Sequence, residues 1–282
     1  MRCVRRWPAR RHGRPTLMPA TMSHCRRDPI WPLSMRNLPS ATPSMPRATS
    51  SRVIPDWTRP YSFCAAFTMD IAGLTVDPQF LLPLGQLEGK GDTHALGKSG
   101  GAAGDLILAA TVWLVNKPKS NTYFGITPFV YVPTGSYDRT RPLNLGENRW
   151  KFVLQGGFVK GVTPKISIDL VGDVTFYGKN NDFGSSSARL TQSASGQFQA
   201  FARYQLKPNL DFRVGGSFVT GGETRIDGIR QQDQASNWKG NVGMAWFPAK
   251  TVQLLATYGR DISVRSGFRE SNRLNLRLLK VF

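Results

Sequence analysis

The feature that most constrains this chain is a two-residue rhythm of apolar and polar side chains. From Lys165 to Tyr177, Ile166, Ile168, Leu170, Val174 and Phe176 alternate with Ser167, Asp169, Asp173 and Thr175. Successive side chains leave a strand on opposite sides, so this pattern makes one greasy and one wet face. Trp150, Phe152, Leu154 and Phe158 oppose Lys151, Gln155 and Gly157 in the same way. Leu210, Phe212, Val214 and Phe218 oppose Asp211, Arg213 and Ser217, and Leu274, Leu276, Leu278 and Phe282 oppose Arg273, Asn275 and Arg277. Ten such segments are predicted, over 69–83, 105–116, 122–132, 149–161, 165–177, 196–206, 210–219, 238–247, 251–259 and 273–282. Most are near the roughly 9–11 residues that a tilted strand needs to cross a bilayer.

The connections sharpen this reading. Four are short and contain proline: Lys117–Ser120, Val162–Lys165, Leu206–Asn209 and Phe247–Lys250. Five are long and polar, over 84–104, 133–148, 178–195, 220–237 and 260–272. Short and long alternate, as in an outer-membrane meander with tight periplasmic turns and long outer loops. A soluble antiparallel sandwich would not sort its loops so strictly. Trp113, Tyr131, Trp150, Tyr177, Tyr204, Trp238, Trp246 and Tyr258 fall near the predicted strand ends. With the terminal Phe282 they are expected to form interfacial girdles, where a ring can be half apolar and half wet. In lipid an open edge leaves backbone groups unpaired at several kcal/mol each, so the sheet is expected to close. The fold class is therefore all-β, an antiparallel transmembrane barrel of about ten visible strands.

Charge at first points elsewhere. The 282 residues hold 37 Lys+Arg against 18 Asp+Glu, a net +19, which invites a nucleic-acid partner. That charge is unevenly spread. Residues 1–60 hold 12 Arg, no Lys and 2 Asp, a net +10, with 10 of the 19 Pro and a single Gly. The remaining 25 basic and 16 acidic residues give +9 over the rest. The first segment has neither strand nor helix period, and no apolar run that would make it a secretory signal. Its Arg- and Pro-rich, Lys-free composition is what a GC-rich gene yields when read out of frame. Residues 1–68 are thus expected to be disordered or the product of a frameshift or wrong start, and 69–282 the barrel. A basic nucleic-acid-binding role through residues 1–60 is the alternative from another class, and no nucleic acid is expected. Mean hydropathy is −0.29, and no apolar run is long enough for a membrane helix. A barrel is untouched by this, because half of each strand faces water.

Catalysis has little to stand on. Histidine is limited to His12, His24 and His94, and Cys3, Cys25 and Cys64 form no metal-binding spacing. Gly97-Lys98-Ser99 lacks the spacing of a phosphate loop. No catalytic, cofactor or metal residue is assigned, and the chain is not expected to be an enzyme.

Several runs together resemble a known family. They are Thr75–Pro83, Gly104–Trp113, Tyr123–Phe129, Pro133–Asp138, Leu145–Lys151 and Ala256–Asp261. In order, they are similar to the outer-membrane transporter family named for the meta-pathway of phenol degradation, over about 69–282. The resemblance implies a Gram-negative outer-membrane barrel for passive uptake of small hydrophobic or aromatic compounds, with no catalytic residues and no cofactor. It also implies a signal peptide and one or two strands before Met69, neither of them legible here, and an even total such as 12 strands. A final alternating strand ending in Phe282 looks like the signal read by the outer-membrane assembly machinery.

If the apolar face meets lipid, the polar face lines the lumen. The candidates are Lys151, Gln155, Asp169, Asp173, Gln197, Gln199, Arg203, Asp211, Arg213, Lys239, Asn241, Arg273, Asn275 and Arg277. Such charges set selectivity in a pore. Asp169 and Asp173 are expected to face Arg203 and Arg213 across neighbouring strands. The plainer reading is that these pairs only fill a narrow barrel with a structural role and no transport.

Overall fold

The computed structural model describes residues 56–88, 96–267, 269–270 and 272–280. Its strands in chain order are β1 (Asp56–Ala66), β2 (Met69–Ile71), β3 (Leu74–Glu88), β4 (Leu106–Lys117), β5 (Thr122–Val132), β6 (Lys151–Gly161) and β7 (Ile166–Tyr177). Then come β8 (Asn180–Phe183), β9 (Ala188–Gln192), β10 (Ser195–Lys207), β11 (Leu210–Gly221), β12 (Thr224–Ile226), β13 (Ile229–Arg230), β14 (Ala235–Ala249), β15 (Val252–Val264) and β16 (Arg273–Lys280). One antiparallel sheet runs β1-β3-β4-β5-β6-β7-β10-β11-β14-β15-β16, with β2 folded back on β3. Apart from the short strands β2, β8, β9, β12 and β13, successive strands pair, as a meander requires.

Two boundaries differ from expectation. Asp56–Ala66 is not part of a structureless leader; it is a strand paired with β3 from Asp56↔Glu88 to Ala66↔Gln79. Its rhythm is hidden because the register slips between Thr58 and Tyr61, around Pro60, which has no N–H to give a ladder. The strand expected over 69–83 is broken at Ala72-Gly73, both at positive φ (51° and 80°). This pair is a two-residue hairpin loop whose twist suits the flanking strands, so Ile71 pairs with Leu74. Residues 1–55, His94 and Phe282 lie outside the described residues.

Two of the long connections carry structure of their own. A second sheet, β13-β12-β9-β8, joins residues from 178–195 with residues from 220–237. Ile226 and Ile229 pair across Asp227-Gly228, at φ 48° and 85°. Thr224 pairs with Gln192 and Ile226 with Leu190, which knits the two hairpins together.

The main sheet has one buried and one exposed face. Leu81, Ile107, Tyr131 and Val153 cluster on the buried side, with Cys64 and Phe129 against them. Trp113, Tyr123 and Val159 make a second cluster nearer the short turns. On the other face Phe152, Leu154, Phe158, Phe198, Val214, Val242, Leu274, Leu276 and Leu278 are exposed. Continuous apolar exposure of this extent marks a surface meant for an apolar environment.

Candidate functional site

All fourteen polar candidates point to the buried face, because each sits at alternate positions to the exposed aliphatics. Lys151, Asp169, Gln199 and Lys239 are buried, Asp169 completely. Gln155, Asp173, Gln197, Arg203, Asp211, Arg213, Asn241, Arg273, Asn275 and Arg277 are half-buried. The structure brings them together in three groups.

The first group closes the long-loop end of β5 and β6. The connection after β5 turns inward and buries Leu143 and Leu145. Gly135 and Gly146 lie back to back: a Cβ on Gly146 would stand 2.6 Å from the carbonyl carbon of Gly135. Asp105 holds the two limbs together by accepting the backbone N–H of Gly135 at one oxygen and of Glu147 at the other, both at 2.9 Å. Burial pushes the Asp105 carboxyl up, and these two N–H donors oppose it. Glu147 then lies between two cations. Arg149 Nη2 reaches its Oε2 at 2.7 Å, and Lys151 pairs with its Oε1. Burial would raise the Glu147 carboxyl, but the charges of Lys151 and Arg149 outweigh it and bring it down to about 2. The cations are further held by aromatic rings. Arg149 lies 4.9 Å from the centre of the Tyr177 ring, and the Lys151 ammonium 4.4 Å from that of Tyr131. Arg149 Nη2 also donates to Gln192 on β9 at 2.7 Å, so the small outer sheet is tied to this cluster.

The second group sits at the same end on the later strands. Lys239 pairs with Glu270 and lies 3.5 Å from Asp261, and Arg273 lies 3.4 Å from Glu270. Glu270 is held below the usual carboxylate range: burial raises it, but Arg273 and Lys239 prevail.

The third group lies toward the short turns. Arg203 Nη2 meets Asp169 Oδ1 at 2.9 Å across the β7–β10 pair, as expected. Arg213 does not pair with Asp173; it takes Asp211, two residues back on its own strand, at 2.7 Å. The cause is register. Asp173 stands level with Gln197 and Val219, far along β11 from Arg213, and Arg203 and Arg213 are directly opposite one another, so each cation needs a carboxylate of its own. Arg277 Nη2 donates to Gln253 at 2.9 Å.

The aromatic residues divide. Trp150, Tyr204, Trp238, Trp246 and Tyr258 lie on the exposed face. Trp113, Tyr131 and Tyr177 do not belong to any outward girdle. Trp113 is 3% exposed and Tyr131 4%. Tyr177 shares the buried face under Arg149, with its hydroxyl 2.7 Å from Ser195. Their strand parity points them inward, and each finds a polar partner there. Trp113 Nε1–H donates to Asp77 Oδ2 at 2.7 Å. Sequence reasoning missed Asp77, Asp105, Glu147 and Arg149. The alternating signs of Glu147, Arg149 and Lys151 were a usable signal, since residues two apart at a strand entrance share a face.

The buried face is thus of two kinds. Over β3–β6 its large residues are mainly Leu81, Ile107, Trp113, Tyr123, Phe129, Tyr131, Val153 and Val159, with Asp77, Thr111, Thr127 and Lys151 among them. Over β7 and β10–β16 it is mainly Ser, Thr, Gln, Asn, Asp, Lys and Arg.

Three comparisons bear on this architecture. The family described as "Putative MetA-pathway of phenol degradation" matches residues 61–278. No curated protein sequence matches the chain. Among solved structures, an outer membrane channel from Pseudomonas putida F1 is 41% identical over 78% of this chain and 82% of that one, with a TM-score of 0.75. The match of the family begins inside β1, consistent with that strand belonging to the sheet. The chain therefore belongs to the outer-membrane channel family of the phenol-degradation meta-pathway.

Proposed function

We propose that the main sheet closes into a barrel, with the exposed face toward lipid and the buried face toward a lumen. Two features support this. The outward rows of Phe, Leu and Val suit hydrocarbon, and β1 and β16, the ends of the sheet order, would otherwise leave backbone groups unpaired there. The fourteen polar residues named above then line the interior, and Trp150, Tyr204, Trp238, Trp246 and Tyr258 mark the interfaces.

The role that fits best is passive passage of small aromatic or hydrophobic compounds. The observation that carries it is the two-sided interior. A solute with an apolar ring and one hydroxyl can slide its ring along the β3–β6 wall and present its polar end to β7 and β10–β16. Reconstituted protein should pass phenol-sized aromatics across liposomes faster than a sugar of similar size. Equal or absent flux of both would overturn this reading. A closed, structural barrel is favoured by one observation, the inward connection with buried Leu143 and Leu145, and the same flux measurement decides it. The last described strand, with Leu274, Leu276 and Leu278 in one exposed row, suits docking to the outer-membrane assembly machinery. Phe282, the other part of that signal, lies outside the described residues.

A further inference from the structure

The two ends of the sheet are charged in different ways. At the long-loop end basic and acidic residues are mixed and paired, as in Glu147 with Arg149 and Lys151, or Lys239 with Glu270 and Asp261. The short-turn end carries a collar of lysine. Lys117, Lys119, Lys160, Lys165, Lys207 and Lys250 are there and exposed, more than half of the eleven described lysines. The described carboxylates nearest this end are engaged elsewhere. Asp77 and Asp211 face inward, held by Trp113 and Arg213. Asp70 accepts from Thr75 on the β2–β3 hairpin.

One part of this collar is a shaped site. Lys117 is directly opposite Thr122, and Thr122 is directly opposite Lys160. Opposed residues share a face, so the three stand in a row across β4, β5 and β6. Two strand spacings separate the lysines, about 10 Å. Between them Thr122 Oγ1 accepts from Lys160 Nζ at 2.9 Å and from Ser120 Oγ at 3.0 Å. The row lies on the exposed face. Lys160 continues the line of Phe152, Leu154 and Phe158, and its neighbour on β7 is the exposed Ile168. The Thr122 hydroxyl in turn donates to the Ser120 carbonyl at 3.0 Å, so it fixes Lys160 and leaves the anion to the ammonium groups. A group bound here has its apolar part against Phe158 and Ile168 and its anionic part between two ammonium groups.

We infer that Lys117 and Lys160, the latter positioned by Thr122, form a binding site for the phosphate of an anionic phospholipid in the periplasmic leaflet, with the other collar lysines adding a general attraction. Lysines at this level keep their stems on the apolar surface and their charges at the headgroups. The apolar row argues for a lipid over a soluble polyanion, which would need no hydrophobic neighbour. The inference rests on reading the exposed face as the lipid surface, and does not depend on transport.

The test is lipid retention by the full chain in nanodiscs of phosphatidylglycerol and phosphatidylcholine, read as the ratio of the two lipids that remain bound after delipidation. Wild type should retain phosphatidylglycerol above its bulk share. K117Q/K160Q should lose about fivefold in that preference per lysine. K98Q/K179Q, which removes two charges from the long-loop end, should leave it unchanged. Equal losses in both variants would reduce the effect to net charge and overturn the site. Competition by millimolar inorganic phosphate as effective as that by lipid would make it a free-phosphate site, and capture by peptidoglycan without lipid preference would make it a cell-wall contact; either overturns the inference. If K117Q/K160Q fails to fold, wild type alone decides, and equal retention of the two lipids sinks the site. Retention of no lipid at all would instead defeat the reading of the exposed face.

Discussion

The wall over β3–β6 and the wall over β7 and β10–β16 build the buried face by opposite means. In the first, Val159, Trp113 and Tyr123 bury apolar surface and need few partners. In the second, Arg203, Arg213 and Lys239 each lie against a carboxylate, because a cation removed from water without one is costly. An apolar wall gains from each residue separately. A charged wall depends on its pairs, so damage to one member spreads to the other. In the closed sheet proposed above, the difference would give a solute with a ring and a polar end a preferred way round.

The cluster at the junction of the two walls gives the largest expected effect. Glu147→Gln leaves Arg149 and Lys151 buried side by side without their shared carboxylate. Removing one member of a buried ion pair costs about 3–5 kcal/mol. Chemical unfolding followed by heat-dependent gel migration should show that loss, and the connection holding Leu143 and Leu145 should become open to protease. The sign of the pH dependence follows from the depressed carboxyl. Glu147 contributes stability above its ordinary value of 4.5, and that contribution is lost as pH falls through about 2. Wild type should therefore keep this connection protease-resistant at pH 5, and E147Q should not. Equal resistance of the two proteins would show that the apolar contacts of Leu143 and Leu145 hold the connection unaided.

These residues also show what a sequence can and cannot tell. The strands were legible because lipid on one side and a packed face on the other impose a strict period of two, clearest from β6 onward. Arg203 and Asp169 could be matched because they lie on neighbouring strands. Arg213 could not, because its pairing depends on the register that sets it against Arg203, and register is a property of two strands together. Direction was the other loss. Trp113 and Tyr131 are near strand ends, where interfacial rings belong, and only parity against their neighbours shows them turned inward. β1 was hidden by Arg59 and Pro60 at its register slip. The small outer sheet had a signal, Asp227-Gly228 between two isoleucines, that reads as a tight hairpin once it is not dismissed as loop composition.

The next effect tests the pairwise nature of the charged wall. Asp169→Asn leaves Arg203 facing Arg213 with one carboxylate for two guanidinium groups. Arg203 keeps some water contact, so the expected loss is about 3 kcal/mol, the lower end of the range for a broken buried pair. Current through planar bilayers should shift toward anions. The double variant Asp169→Leu with Arg203→Leu removes both members and should recover most of the stability, since apolar groups of similar size often replace a buried pair without loss. A double variant no better than D169N would mean that the two walls are not different in kind.

The smallest effect comes from a place where the apolar wall depends on a hydrogen-bond partner. Trp113 is buried with Tyr123 edge-on to it, ring centres 6.2 Å apart, and its indole N–H donates to the buried Asp77. Trp113→Phe keeps most of the ring surface and removes the donor. Leaving a buried acceptor unsatisfied costs about 1–3 kcal/mol, below either loss on the charged side. Trp113→Phe combined with Asp77→Leu removes donor and acceptor together and should return stability to within about 1 kcal/mol of wild type, because an apolar pair of similar shape can replace a hydrogen-bonded one. The flux of a phenol-sized solute, measured on the same variants, separates packing from passage. A wall that guides an aromatic ring by its apolar surface should pass the solute as well in the Trp113→Phe variant as in wild type, whereas a wall that works through the bond between Trp113 and Asp77 should not.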